Sequence, residues 1–348
     1  MSGDPIEQLS DNLETLNKYK TAGIIATKIV SDIVKNTKAN VKLIDLWNKG
    51  NNLIKDELAK LVDHKNKGIC FPLCLALNNI AGHNIPKDEV TKEGDILKIE
   101  VGIHIDGFPA CIAYSTIINS NKILIDDKRA NVMNACIKAS KDIFKIMTPE
   151  HTNVDVAKIM QSYADKYSCS LPLSNEKGVM PGVFSRQMSQ NIIDGNDEDN
   201  DEFIHQFILS RPNPNYEFEM QSIKFEENEV YGIDIVMSSG NGRLQSSDCN
   251  IYKRNDKKVM LKMKASREAL QLFNKEKFPI AVNTTAPGTK MGLKECYDKG
   301  LLEKYPVFGD KENEYVARIK FTIIVGDKPI LICGKQADGE FNRVKNMV

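Results

Sequence analysis

Tryptophan occurs once and histidine five times in these 348 residues, and no apolar run approaches the roughly 20 residues that a membrane-spanning helix requires. Net charge is also missing: 47 Lys and Arg offset 47 Asp and Glu. A chain in balance does not attract nucleic acid or membrane as a whole, so any such binding must come from a local patch. The eight cysteines, at 70, 74, 111, 136, 169, 249, 296 and 333, lack the paired spacing of a zinc site. Cys70 and Cys74 flank Pro72, with no second pair or nearby histidine to complete a ligand set, so buried reduced thiols are expected. Met1 to Ser10 is polar and acidic rather than basic and then apolar, so no secretory leader is expected and the chain should stay inside the cell. The glycine-rich stretch Ser238-Ser239-Gly240-Asn241-Gly242 follows a strand but lacks the spacing of a phosphate loop.

What is present is enough apolar residue, 41%, to bury a sizeable core. From Tyr19 to Thr37 apolar residues recur at three and four, the period of an amphipathic helix, and Val41 to Leu61 repeats the pattern while tolerating Gly50. Ile69 to Leu77 is apolar and Asp95 to His104 alternates, so both read as strands. Lys128 to Met147 and Thr152 to Tyr167 return to helical spacing, the second opened by Thr152 and Asp155 in capping positions. Asp194 to Glu202 is almost wholly Asp, Asn, Glu and Gly and reads as a solvated loop. Glu229 to Met237 is a further strand, and Phe321 to Val325 should pair with Ile330 to Cys333 across a tight turn. Ser266 to Phe278 and Met291 to Lys299 read as two short helices in a segment, 255–312, inserted between strands. Residues 1–15 read as a flexible terminus to one continuous domain, 1–348.

Two stretches echo one another. Glu93 to Val101 and Glu227 to Ile235 share a pattern, and in each a carboxylate, Glu100 or Asp234, interrupts an apolar strand. Two similar α/β halves facing one another across a pseudo-two-fold axis would give such an echo. An ionised acid in that setting is costly unless it meets a cation or a metal ion.

The run Phe71, Pro72, then Leu77-Asn78-Asn79-Ile80-Ala81-Gly82-His83, followed by Gly94-Asp95 and Lys98-Ile99-Glu100, resembles the methionine aminopeptidases over nearly the whole chain. The inserted segment before Phe321 resembles that of the type II enzymes. His104-Ile105-Asp106-Gly107-Phe108, Ile193-Asp194-Gly195 and Ile251-Tyr252-Lys253-Arg254 look closer still to the proliferation-associated, receptor-binding branch. The resemblance implies an α+β pita-bread fold, in which two α/β halves close antiparallel sheets around a central pocket.

The family's enzymes hold two metal ions with two Asp, one His and two Glu. By the resemblance those positions are Glu100, Cys111, Arg186, Asp234 and Lys320 here, and His83 matches the catalytic histidine. A guanidinium offers no lone pair near neutral pH and an ammonium repels a divalent ion. The expectation is a degenerate pocket without metal or other cofactor, in which Arg186 and Lys320 neutralise Glu100 and Asp234, and no catalysis. The rival expectation is an active peptidase with an altered site built from Glu100, Asp234, Cys111 and His83. A third is a scaffold whose old pocket holds a partner peptide.

Function then moves to the surface, where Lys253, Arg254, Lys257, Lys258, Lys262, Lys264 and Arg267 face the single acid Asp256 and could meet phosphates. The resemblance implies a ribosome-associated factor that binds ribosomal RNA and the large subunit, takes part in ribosome biogenesis, translation and growth control, meets protein partners in growth signalling, and moves between nucleolus and cytoplasm. The branch's lysine-rich tail has no match in Phe341 to Val348, so tail-dependent roles are not carried over.

Overall fold

The computed structural model describes residues 13–64, 66–174, 183–194, 207–211, 221–286 and 288–334. Two helices open the described chain, α1 (Leu13–Asn36) and α2 (Leu43–Ala59), so residues 13–15 of the expected flexible terminus are already helical. Strands β1 (Lys67–Leu77), β2 (Ile80–Gly82), β3 (Ile96–Ile105) and β4 (Phe108–Ile117) follow, then α3 (Lys128–Lys145) and α4 (Asn153–Lys166). Thr152 caps α4 through a capping box with Asp155, which satisfies backbone donors that the first helical turn leaves open. The second half continues with β5 (Leu173–Ser174), β6 (Val183–Met188), β7 (Phe207–Leu209), β8 (Val230–Ser238), β9 (Arg243–Ser246) and β10 (Ile251–Arg254). The insert holds α5 (Lys264–Gln271), β11 (Ile280–Ala281), α6 (Thr289–Asp298), β12 (Leu302–Lys304) and β13 (Phe308–Gly309), and the hairpin β14 (Val316–Ile324) and β15 (Ile330–Cys333) closes the described chain.

The central antiparallel sheet runs β1-β3-β4-β14-β8-β6-β7, with β15 also on β14. Alternation along its strands divides labour between two faces. On β14, Ala317, Ile319, Phe321 and Ile323 join the core beneath α3 and α4. On β3, Leu97, Ile99, Val101 and Ile103 join the core beneath α1 and α2. The intervening residues point to the opposite, helix-free face, where Glu100 lies opposite Ala113, Ala113 opposite Lys320, and Lys320 opposite Asp234. A single row across four strands thus carries the two strand acids of the sequence echo, on the equivalent strands of the two halves.

The insert packs around its own small core, with Phe273, Leu293, Cys296 and Leu302 at its centre, and Gly300 ends α6 with the left-handed backbone (φ 69) that favours glycine. Its strands β11 and β12 pair with β10, just before it in the chain, in a separate three-stranded sheet. Among the described residues no helix is long and apolar enough to cross a membrane. None of the eight cysteines forms a disulfide.

Candidate functional site

The helix-free face of the sheet, the insert and a short four-stranded sheet, β2-β13-β9-β5, line a cleft of about 1130 Å³. Its floor holds the acid row. Arg318, two residues before Lys320 on the same face of β14, is 1% exposed and lies between the acids. Its Nη1 and Nη2 donate to Glu100 Oε2 and Oε1 at 2.8 and 2.7 Å, and its Nε and Nη2 donate to Asp234 Oδ1 and Oδ2 at 2.8 and 2.6 Å. A planar guanidinium thus makes two bidentate forks, the strongest geometry for a carboxylate. Gly82 makes room for it, because a Cβ there would stand 2.0 Å from Arg318 Nη1. The Phe184 ring lies 5.9 Å from the guanidinium carbon.

Lys320 adds a second cation, with Nζ 3.4 Å from Asp234 Oδ2 and 3.8 Å from Glu100 Oε1. His83, held in the left-handed region (φ 61), places Nδ1 3.1 Å from Glu100 Oε2. Burial pushes the Glu100 carboxyl up, but Arg318, His83 and Lys320 outweigh it and hold it well below the usual carboxylate range. Burial likewise pulls the Lys320 amine down, and the attraction of Asp234 and Glu100 outweighs it, so its affinity for a proton is raised. Lys320 is a fixed ammonium at neutral pH. Cys111 is buried beside this floor, its Sγ 3.7 Å from Cys70 Sγ and its backbone N–H donating to Thr322 Oγ1 at 2.9 Å.

The two cations expected to neutralise the acids are placed differently. Lys320 does lie between Glu100 and Asp234, but Arg186 does not: its Nη1 donates to the main-chain oxygen of Asp194 at 3.0 Å. The guanidinium that clasps both acids is Arg318, which sequence reasoning passed over even though a charge at that alternate position of an apolar strand was a visible signal. Asp194 is also not part of a solvated loop. Its carboxylate receives Lys253 Nζ at 3.0 Å and a short hydrogen bond from the Tyr305 hydroxyl. Burial works against its ionisation, yet Lys253, that hydroxyl and Arg186 keep its pKa lowered. The remainder of that acidic stretch, 195–202, lies outside the described residues.

The basic run divides in the same way. Lys253 is spent on Asp194 and lies 4.0 Å from Glu303, and Arg254 donates to Asn274 Oδ1 at 2.6 Å, so neither belongs to an open cationic surface. Lys257, Lys258, Lys262, Lys264 and Arg267 are exposed. Lys264 lies 3.6 Å from the exposed Glu268, and Arg267 Nη1 donates to the main-chain oxygen of Leu261 at 3.0 Å.

Residues 17–211 match metallopeptidase family M24, and the chain belongs to that family. The fold agrees with solved structures of a thermophilic Arx1 (TM-score 0.79, 22% identity, covering 93% of this chain and 92% of that one) and of methionine aminopeptidase from Rickettsia prowazekii (TM-score 0.59, 15% identity, covering 92% and 96%). Both carry the pita-bread fold that the central sheet and its one-sided helices display. Within the family, the chain sits with proteins called ErbB-3 binding protein 1 and proliferation-associated protein. The Solanum tuberosum ErbB-3 binding protein 1 is 35% identical (93% of this chain, 83% of the relative), and that of Arabidopsis thaliana 33% (90% and 78%). The "Curved DNA-binding protein" of Schizosaccharomyces pombe is 31% identical over 92% of this chain and 83% of the relative.

The family name implies metal ions, and the floor residues do not fit one. A divalent ion needs several lone pairs converging on one point. All four oxygens of Glu100 and Asp234 receive N–H groups of Arg318, whose guanidinium occupies the space between them. Lys320 and Arg186 supply charge of the wrong sign. Among the described residues no group of three or more His, Cys, Asp or Glu is arranged to hold a metal ion.

Proposed function

We propose that this chain is a non-catalytic member of the family that acts as a ribosome-associated RNA-binding factor in ribosome biogenesis, translation and growth control. It meets the large subunit and ribosomal RNA and works in cytoplasm and nucleus, including the nucleolus. Two supports converge. The cleft floor is filled by an Arg318 clasp where metal-bound hydroxide would have to form, which leaves His83 without a nucleophile to assist. The carrying observation is on the insert, where Lys257, Lys258, Lys262, Lys264 and Arg267 stand exposed within eleven residues, accompanied in that span by no acid. Exposed cations at this density on a neutral chain are a local phosphate-binding footprint. The name of the fission yeast relative, a DNA-binding protein, points to nucleic acid, and the ErbB-3 binding names point to protein partners as well.

Co-sedimentation with ribosomal subunits across a salt series tests it. Binding should fall steeply with salt as phosphate contacts release counterions. Reversing Lys257, Lys258, Lys262 and Lys264 to Glu should weaken it at least tenfold, about 1.4 kcal/mol, and flatten the salt slope. Binding indifferent to salt and to the reversals would overturn the reading, as would release of methionine from a peptide by protein carrying stoichiometric metal.

A further inference from the structure

The cleft has lost its claim on metal, yet it is roomy, and its polar groups are not all spent. Donors and acceptors are out of balance there. The carboxylates Glu100 and Asp234 are saturated by Arg318, and Asp194 by Lys253 and Tyr305. Two cations keep unused N–H groups. Among the described residues Arg186 makes one hydrogen bond, to a main-chain oxygen, and no ion pair, although it lines the cleft. Lys320 lies near its two carboxylates but at 3.4 and 3.8 Å forms no hydrogen bond with them or with any other described residue. The sheet register brings the two together. Arg186 on β6 is the cross-strand neighbour of Gly232 on β8, and Lys320 Cε lies 3.6 Å from where a Gly232 Cβ would stand. Arg186 on β6 and Lys320 on β14 thus stand on the same face, on the two strands that flank β8.

A ligand's ammonium group entering this floor meets saturated carboxylates and two cations; a ligand's carboxylate meets the spare N–H groups of Arg186 and Lys320, both half-buried. Beside them Phe71, His83, Tyr305 and Phe308 form a set of rings with centroids 5.0 to 6.3 Å apart, a wall for an apolar side chain. The cleft's rim is of mixed sign, with Lys294 paired to Asp298 at 2.6 Å and Lys290 near Asp248 at 4.0 Å. That mixture disfavours a polyphosphate chain and suits a peptide with a single anionic end.

We propose that the cleft binds a peptide through a carboxylate seated on Arg186 and Lys320, with the neighbouring apolar side chain against Phe71, Tyr305 and Phe308. The carboxylate comes from the peptide's C-terminus or from an acidic side chain. This rests on the reading that the cleft holds no metal and is otherwise independent of RNA binding.

Isothermal titration calorimetry on the full chain at low salt tests it with four probes. These are an N-acetylated tetrapeptide ending in a free leucine carboxylate, its carboxamide, a carboxamide peptide with glutamate at the last position, and a peptide with a free amino end and an amidated C-terminus. The free acid should bind at least tenfold more tightly than its carboxamide, and Arg186→Gln should remove that difference while Arg186→Lys restores part of it, because charge returns without the fork. Tight binding of the glutamate carboxamide assigns the anion to an acidic side chain, and its weakness assigns it to the C-terminus. Equal binding of the leucine acid, its carboxamide and the glutamate carboxamide, tighter binding of the free-amino peptide, no heat from either carboxylate-bearing probe at millimolar concentration, or indifference to Arg186→Gln would each overturn the proposal. Because no ribosome is present, such a failure leaves the RNA reading standing; failed co-sedimentation alongside acid-selective titration would do the reverse. Metal found stoichiometrically in the same sample would remove the premise that the two share.

Discussion

Arg318 holds two buried carboxylates at once, and the energetic consequence is asymmetric. Forming such a triad gains little net stability, because all three charges leave water, but removing the shared cation strands two acids in a low-dielectric interior. Arg318→Ala should therefore destabilise the fold by about 3–5 kcal/mol. Urea unfolding followed by the fluorescence of Trp47, the one tryptophan, reads this directly, since its indole N–H is anchored on the Leu73 carbonyl at 2.7 Å. A loss below about 1 kcal/mol, the range of solvent-exposed ion pairs, would show that water already screens the triad. The two acids were legible in the sequence because each breaks an apolar strand. Arg318 was visible as a charge in an apolar strand, but its pairing with them was not, because a side chain's reach across strands depends on register: Arg318 and Lys320 share one face of β14, whereas Arg186 sits on β6, beyond β8.

At the scale of elements, the helices and long strands follow from periodicity, and α4 from its capping residues. The short strands of the insert and of the four-stranded sheet carry too few residues for a period to show. Contacts between elements are set by details that periodicity does not encode. Gly23 lies in the middle of α1, where alanine would improve helix propensity by roughly 1 kcal/mol. A Cβ there, however, would stand 2.1 Å from the main-chain oxygen of Ile332 on β15, and backbone cannot rotate away as a side chain can. The clash should win, with Gly23→Ala lowering stability by roughly 1–3 kcal/mol, seen as a lower melting temperature by circular dichroism. A rise would mean that α1 is free to lift off the hairpin.

For the whole molecule, the acid limb of stability is the sum of its titrating groups. Burial pushes the His104 imidazole down to about 4, against an ordinary value of 6.5, so the folded chain binds fewer protons there than the unfolded one. Protonation then favours unfolding, and stability falls as pH drops from 6.5 and continues to fall until about 4. Below that, surface carboxylates held down by hydrogen-bonded partners, such as Asp142 by Lys145 and Asp155 by Thr152, lose their contribution. Melting temperature measured from pH 8 to 3 should therefore decline in both ranges, and His104→Asn should flatten only the upper one. A curve unchanged between pH 6.5 and 4 in that variant would place the loss elsewhere.

Because each strand of the central sheet sends successive side chains to opposite sides, the sequence contains two interleaved texts. The one that reads Ala317, Ile319, Phe321 and Ile323 keeps the molecule standing. The other, Arg318 and Lys320, lines the cleft, so one strand serves as wall and foundation at once without either set of side chains crossing to the other's side.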